Sequence, residues 1–152
     1  MMLDSTTMIV VDRSALVAHS AQKMYALVAD VESYPQFLPW CDRAVVSVSE
    51  PGRTVATLHV NFHGLKEEFT TENLDRPGTR IDMKLVSGPF RSLEGRWSFT
   101  RLGEKGCKVA LSLRYEFSSA ILEKAIGPVF RDIADGFVEA FVHRAAQKHG
   151  RT

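Results

Sequence analysis

The C-terminal third of the chain contains the stretch Val129–Val142, VFRDIADGFVEAFV, in which apolar residues come in pairs that recur every four positions. This spacing places the pairs on one side of an α-helix, and charged residues such as Asp132 and Glu139 mark the opposite side. A helix over residues 128–148 would be about 30 Å long, enough to lie across a whole sheet. The Gly-Pro pair at 127–128 is expected to kink this helix or to mark its start.

A different pattern precedes the helix between residues 43 and 117, where apolar and polar residues alternate and turn residues recur about every dozen positions. Alternation with a period of two is typical of strands that bury one face. In the run RIDMKLV, residues 80–86, the alternation is strict, with Ile81, Met83 and Leu85 on one side. The region predicts six antiparallel strands that form one sheet with a buried face.

The N-terminal part predicts one further strand and two short helices. Residues 8–17, MIVVDRSALV, are rich in β-branched side chains, as strands are. Ser20 can cap a helix over AQKMYALVAD, and the stretch Tyr34–Trp40, YPQFLPW, suits a short helix that ends at a turn. The predicted architecture is a single α+β domain over residues 1–152, with seven antiparallel strands and a long C-terminal helix.

A bent sheet and a long helix leave a gap between them unless side chains fill it, and such a gap is a natural ligand site. We expect YPQFLPW to form one wall of this cavity, with the polar tips of Tyr34 and Trp40 at its mouth. Packing of the core by this stretch is an equally good interpretation. The residues expected to line the cavity are Phe37, Leu38, Trp40, Leu58, Val60, Phe62, Met83, Leu85, Trp97, Phe99, Val129, Phe130, Ile133 and Phe137.

Composition excludes several classes of protein. Hydrophobic residues make up 45% of the chain and charged residues 24%, as in ordinary globular domains. The formal net charge of +1 gives no bulk attraction to DNA, RNA or anionic lipid.

A local basic patch remains an alternative that would bind ribosomal RNA, although an ordinary solvated sheet face is the interpretation we favour. Its members would be Arg91, Arg96, Arg101, Lys105, Lys108 and Arg114.

The sequence shows no pattern of catalytic or metal-binding residues. The five histidines form no HExxH motif, and Glu67, Glu68 and Glu72 alternate across strand faces. Two cysteines without a CxxC pair, Cys41 and Cys107, and no secretory signal pattern predict a reduced, cytoplasmic setting. Transient contact with the inner-membrane surface stays open. We therefore expect a non-enzymatic protein without metal or cofactor and without a DNA partner.

Three segments carry a resemblance to a known family: DVESYPQFLPWC (30–41), LVSGPFRSLEGRWSF (85–99) and FVEAFVHRA (137–145). In this order and spacing they resemble the polyketide cyclase/START-related superfamily, and more narrowly its coenzyme Q-binding proteins and ribosome association toxins. The resemblance implies the helix-grip (START/Bet v 1-like) fold, in which the seven-stranded sheet wraps around the C-terminal helix.

The resemblance implies more than one function. The leading hypothesis is non-enzymatic binding of an isoprenoid quinone such as ubiquinone, in support of respiration or quinone biosynthesis. A second is a toxin-like translation regulator that binds the large ribosomal subunit and blocks subunit association. A third, a polyketide cyclase or aromatase, would need positioned polar groups in the cavity, and the inward positions of the strands supply almost none.

Overall fold

The computed structural model describes residues 6–150, so the first five and last two residues of the predicted domain lie outside it. A strand and two short helices come first, six strands follow, and one long helix ends the chain. The elements are β1 (Ile9–Val17), α1 (Ala21–Ala29), a 3₁₀ helix (Val31–Gln36), β2 (Cys41–Glu50), β3 (Arg53–Phe62), β4 (Leu65–Arg76), β5 (Arg80–Ser87), β6 (Phe90–Leu102), β7 (Gly106–Phe117) and α2 (Ala120–His149).

All seven strands belong to one antiparallel sheet with the order β1-β7-β6-β5-β4-β3-β2. Five hairpins connect consecutive strands from β2 to β7, while β1 joins the far edge by pairing with β7, where Val11 lies opposite Leu113. Alternate residues of β3 and β7 are buried, among them Ala56, Leu58 and Val60, as the alternation predicted. The predicted architecture of a seven-stranded sheet, two short helices and a long C-terminal helix is confirmed.

The long helix α2 starts earlier than predicted. It begins at Ala120, where the Ser119 hydroxyl accepts a hydrogen bond of 3.2 Å from the Leu122 backbone N–H, so Pro128 lies inside the helix. Proline has no N–H, so the Lys124 carbonyl lacks the donor that an ordinary residue would supply there. The serine cap and the good helix formers after it outweigh this defect. The 30 residues of α2 extend over about 45 Å.

The two short helices close one side of the sheet. Ser20 caps α1 as predicted, with its hydroxyl accepting from the Lys23 backbone N–H at 3.1 Å. Tyr34 in the 3₁₀ helix is buried, and its hydroxyl donates to the Val28 carbonyl at 2.5 Å. This bond ties the two helices together and fixes the chain that leads into Trp40. None of the helices in residues 6–150 is long and apolar enough to cross a bilayer.

Candidate functional site

Aromatic rings fill the space between the sheet and α2. One group surrounds Phe141 of α2, whose ring centroid lies 5.2 Å from that of Tyr34 and 5.3 Å from that of Trp97. A second group surrounds Phe130, with Tyr115 at 4.8 Å and Phe90 at 5.0 Å. Most of these pairs meet edge to face, the arrangement that aromatic rings prefer. The interior is therefore packed and not hollow.

The cavity that remains within this packing has a volume of about 50 Å³. Pockets that hold drug-sized ligands have volumes of about 300–1,000 Å³, so a prenylated quinone does not fit this space. The hollow interior that we predicted is thus wrong for this conformation, because rings from α2 and the 3₁₀ helix occupy the gap. Five residues predicted to line the cavity do line this small space: Leu58, Met83, Trp97, Phe130 and Phe137.

A larger space lies outside the core, where residues 36–40 and α2 form the walls of an open groove of about 500 Å³. Five of the predicted lining residues face it: Phe37, Leu38, Trp40, Phe62 and Ile133. The remaining lining residues, largely polar and mostly from α2, are Gln36, Pro39, Asp132, Gly136, Glu139, Ala140, His143, Arg144 and Gln147. Its floor is therefore apolar and aromatic, and its α2 wall carries charges of both signs.

The groove and the small cavity are separated by two aromatic rings. Trp40 lines the groove, Phe137 lines the cavity, and their ring centroids are 5.5 Å apart. The stretch YPQFLPW therefore both packs the core and forms a wall. Tyr34 is buried in the core, Phe37 lines the groove, and the buried side chains of Leu38 and Trp40 border the groove as well. The Tyr34 hydroxyl bonds to backbone and does not reach the mouth.

The other predicted lining residues are placed elsewhere. Val60 and Val129 border a space of only about 10 Å³, which Phe130 and Ile133 also touch. Phe99 lies beneath α1, where it meets the Tyr25 ring at 5.8 Å, and Leu85 is half-buried on β5. Neither Phe99 nor Leu85 lines the groove or either of these two cavities.

Two polar side chains in the small cavity were missed by sequence reasoning. Thr71 and Asn73 of β4 are buried there, and the Thr71 hydroxyl donates to the Asn73 side-chain carbonyl at 2.9 Å. Asn73 lies opposite Met83 in the sheet, so the register between β4 and β5 could have placed it on the inner face. A hydroxyl and an amide do not titrate near neutral pH, so this pair is not an acid–base pair.

Neither cysteine is an activated nucleophile. Burial raises the pKa of the Cys41 thiol to about 11, and it raises the pKa of Cys107 as well. The thiolate is the reactive form, so both side chains stay protonated near neutral pH. Both cysteines are buried and act as small apolar residues.

The basic patch that we considered as an alternative on the outer face of the sheet is divided. Arg96 donates to Asp82 at 2.6 Å, and Arg91 lies 3.4 Å from Glu116. Although desolvation opposes it, the pKa of Asp82 is lowered by its contacts with Arg96 and Arg80. These pairs neutralise the middle of the face and leave Arg101, Lys105 and Lys108 at one end.

Comparison with known proteins agrees with this architecture. Residues 17–142 match the family model described as polyketide cyclase / dehydrase and lipid transport. The Vibrio cholerae ribosome association toxin RatA is 46% identical over 92% of this chain and 97% of its own length. The Xenopus laevis mitochondrial coenzyme Q-binding protein COQ10 homolog B is 30% identical over 91% of this chain, which spans 58% of that protein.

A solved structure, the Zhui aromatase/cyclase from Streptomyces sp. R1128, superposes with a TM-score of 0.77 at 18% identity and covers 93% of this chain and 96% of its own. At this identity the likeness establishes the fold, which is the helix-grip fold. The chain belongs to the polyketide cyclase/dehydrase and lipid transport family, and the predicted resemblance to its RatA and coenzyme Q-binding branch is confirmed.

Proposed function

We propose that the protein associates with the large ribosomal subunit and interferes with the joining of the two subunits. The observation that carries this proposal is the filled interior, whose enclosed cavity of about 50 Å³ leaves the outer surface as the part available to a partner. The 46% identity to a ribosome association toxin, over nearly the full length of both chains, supports the same function. A packed core suits this role because it holds the surface in one shape.

Sedimentation on sucrose gradients tests the proposal. We expect the purified protein to migrate with isolated large subunits at low salt and to reduce the formation of joined ribosomes when both subunits are mixed. Small subunits alone serve as the control and should leave the protein near the top of the gradient. Absence of the protein from the large-subunit fractions even at low salt would contradict the proposal.

A second candidate function is binding of an isoprenoid quinone, which the likeness to a coenzyme Q-binding protein favours. The groove supports this function. Its volume of about 500 Å³ falls in the range of ligand pockets, and its floor contains Phe37, Trp40 and Phe62. The groove also lies next to the ring pair Trp40–Phe137, whose displacement would join it to the small cavity. In this function the groove holds the quinone, and the interior opens only if these rings move.

Titration with a short-chain ubiquinone, followed by tryptophan fluorescence, tests this second function. We expect saturable quenching in the wild type and its loss in Ala140→Arg, because the long side chain would occupy the groove. Ile121→Arg is the control, since this position is exposed at the opposite end of α2. Equal quenching of both variants, or no quenching of the wild type, would contradict quinone binding in the groove.

A further inference from the structure

Cations from three separate segments lie at the end of the molecule where α2 finishes. Lys23 belongs to α1, three residues belong to the β6–β7 hairpin, and Lys148 lies in the last turn of α2. We name this surface the basic end and define it by the residues His19, Lys23, Arg101, Lys105, Lys108, Lys148 and His149. All of them except His19 are exposed.

The topology of the sheet brings these segments together. Because β1 pairs with β7, Leu16 lies opposite Lys108, and the chain then turns into His19 and α1. The helix α2 returns across the sheet and ends beside this turn, where the rings of His19 and His149 are 6.1 Å apart. Arg101 faces Cys107 across the β6–β7 hairpin, so it also lies at this end.

The basic end is poor in compensating carboxylates. Its five lysines and arginines are accompanied in the hairpin by Glu104 alone, a formal charge of +4. The whole chain carries +1, so the remaining sequence carries −3. Within residues 6–150, none of these five cations forms a salt bridge, in contrast to Arg91 and Arg96.

Two of these cations, Lys23 and Lys148, lie close enough to His149 to act on its imidazole. Desolvation and the nearby charges of Lys23, His19 and Lys148 all lower the pKa of its imidazole. No carboxylate is among the groups that shift the pKa of the His149 imidazole. A surface with this uncompensated positive potential attracts a polyanion.

We propose that the basic end binds the phosphate backbone of ribosomal RNA. This inference rests on the proposed association with the large ribosomal subunit and names the surface that would make the contact. The cations are spread over the β6–β7 hairpin, the start of α1 and the end of α2. Such a spread suits an extended chain of phosphates better than a single small anion. The groove is less suitable for RNA, because its α2 wall carries two carboxylates, Asp132 and Glu139, against one arginine, Arg144.

An anionic membrane is the competing partner for such a surface. Leu16 and Leu102 lie at the margin of the basic end and are 74% and 49% exposed. Two leucines on separate strands bury little apolar surface, whereas stable binding to a bilayer needs a substantial apolar contribution in addition to charge. RNA is therefore the partner that the charges favour, and vesicles belong in the test.

The test compares two charge-reversed proteins of the full chain. One carries Lys105→Glu, Lys108→Glu and Lys148→Glu in the basic end. The matched control carries Lys66→Glu, Lys84→Glu and Lys124→Glu, which are equally exposed lysines elsewhere. All six positions are on the surface, so circular dichroism and the melting temperature should show both proteins folded.

We expect the basic-end variant to bind large-subunit ribosomal RNA at least tenfold more weakly than wild type, with a slope of log K against log salt shallower by about 2–3. The control changes the net charge by the same amount, but it should bind within about threefold of wild type because its three lysines lie outside the basic end. Equal weakening in both variants would overturn the proposal. Binding of wild type to phosphatidylglycerol vesicles but not to RNA would also overturn it.

Sedimentation with intact large subunits separates this inference from the proposed function. If wild type and the basic-end variant sediment equally with the subunit, the association stands and the basic end is not its RNA-binding surface. If wild type binds free RNA through the basic end but does not sediment with the subunit, the proposed function fails while the RNA-binding surface stands.

Discussion

Replacement of Phe141 by alanine is expected to lower the free energy of unfolding by about 3–5 kcal/mol. The Phe141 side chain is fully buried, and its ring meets those of Tyr34, Phe37, Trp97 and Phe137 at centroid distances of 5.1–5.6 Å. Its removal leaves a cavity where α2, the 3₁₀ helix and the sheet meet. Denaturation with urea, followed by circular dichroism, measures the change.

The control for this prediction is Ile121→Ala, which also truncates a large apolar side chain of α2. Ile121 is 79% exposed, so the expected change is within about 0.5 kcal/mol. If Phe141→Ala costs as little as the control, the aromatic cluster around Phe141 does not hold α2 against the sheet.

Replacement of Gly88 by alanine is expected to cost about 2–4 kcal/mol, from backbone strain and from a clash. Gly88 lies in the turn between β5 and β6 with a φ of +149°, a conformation that side-chain-bearing residues rarely adopt. An added Cβ would stand 2.7 Å from the Phe69 Cβ and 3.2 Å from its Cα on the neighbouring strand. Thermal and urea unfolding of the purified variant give the measured value.

Gly103→Ala separates the two contributions. Gly103 also has a positive φ, +73°, but nothing lies within 4 Å of the position of an added Cβ. We expect it to cost about 1–2 kcal/mol, from the backbone conformation alone. A loss in Gly88→Ala no greater than that in Gly103→Ala would show that the turn can move away from Phe69.

The strands were the most predictable part of the fold. Strict alternation, as in RIDMKLV, reports directly which side chains face the core, and Ile81 and Trp97 are buried as that pattern requires. The start of α2 was less predictable, because the proline at 128 reads as a helix start. The true start depends on the Ser119 hydroxyl, which caps the helix. That role can be assigned only once the end of β7 at Phe117 is known.

The volume of the interior could not be read from the sequence. Strand alternation identifies Trp97 as inward-facing, and helical spacing does the same for Phe130 and Phe137. Neither pattern shows whether the three rings line a space or fill it. That outcome depends on how closely α2 and the 3₁₀ helix approach the sheet. Edge-to-face contacts of about 5–6 Å between rings from different elements, such as Trp40 and Phe137, are long-range and leave no local pattern.

The basic end was partly visible in the sequence. Arg101, Lys105 and Lys108 are close together along the chain and were recognised as basic, whereas Lys23 and Lys148 are remote from them. Only the pairing of β1 with β7 and the direction of α2 bring the five residues to one end of the molecule.

The same pairing governs when the protein can fold. Val11 in the first strand finds its partner, Leu113, about 100 residues later in the chain. During translation the first strand must therefore wait until nearly the whole polypeptide has left the exit tunnel. Until then the apolar side chains of this strand lack their partners, and such exposed surface promotes aggregation of a nascent chain.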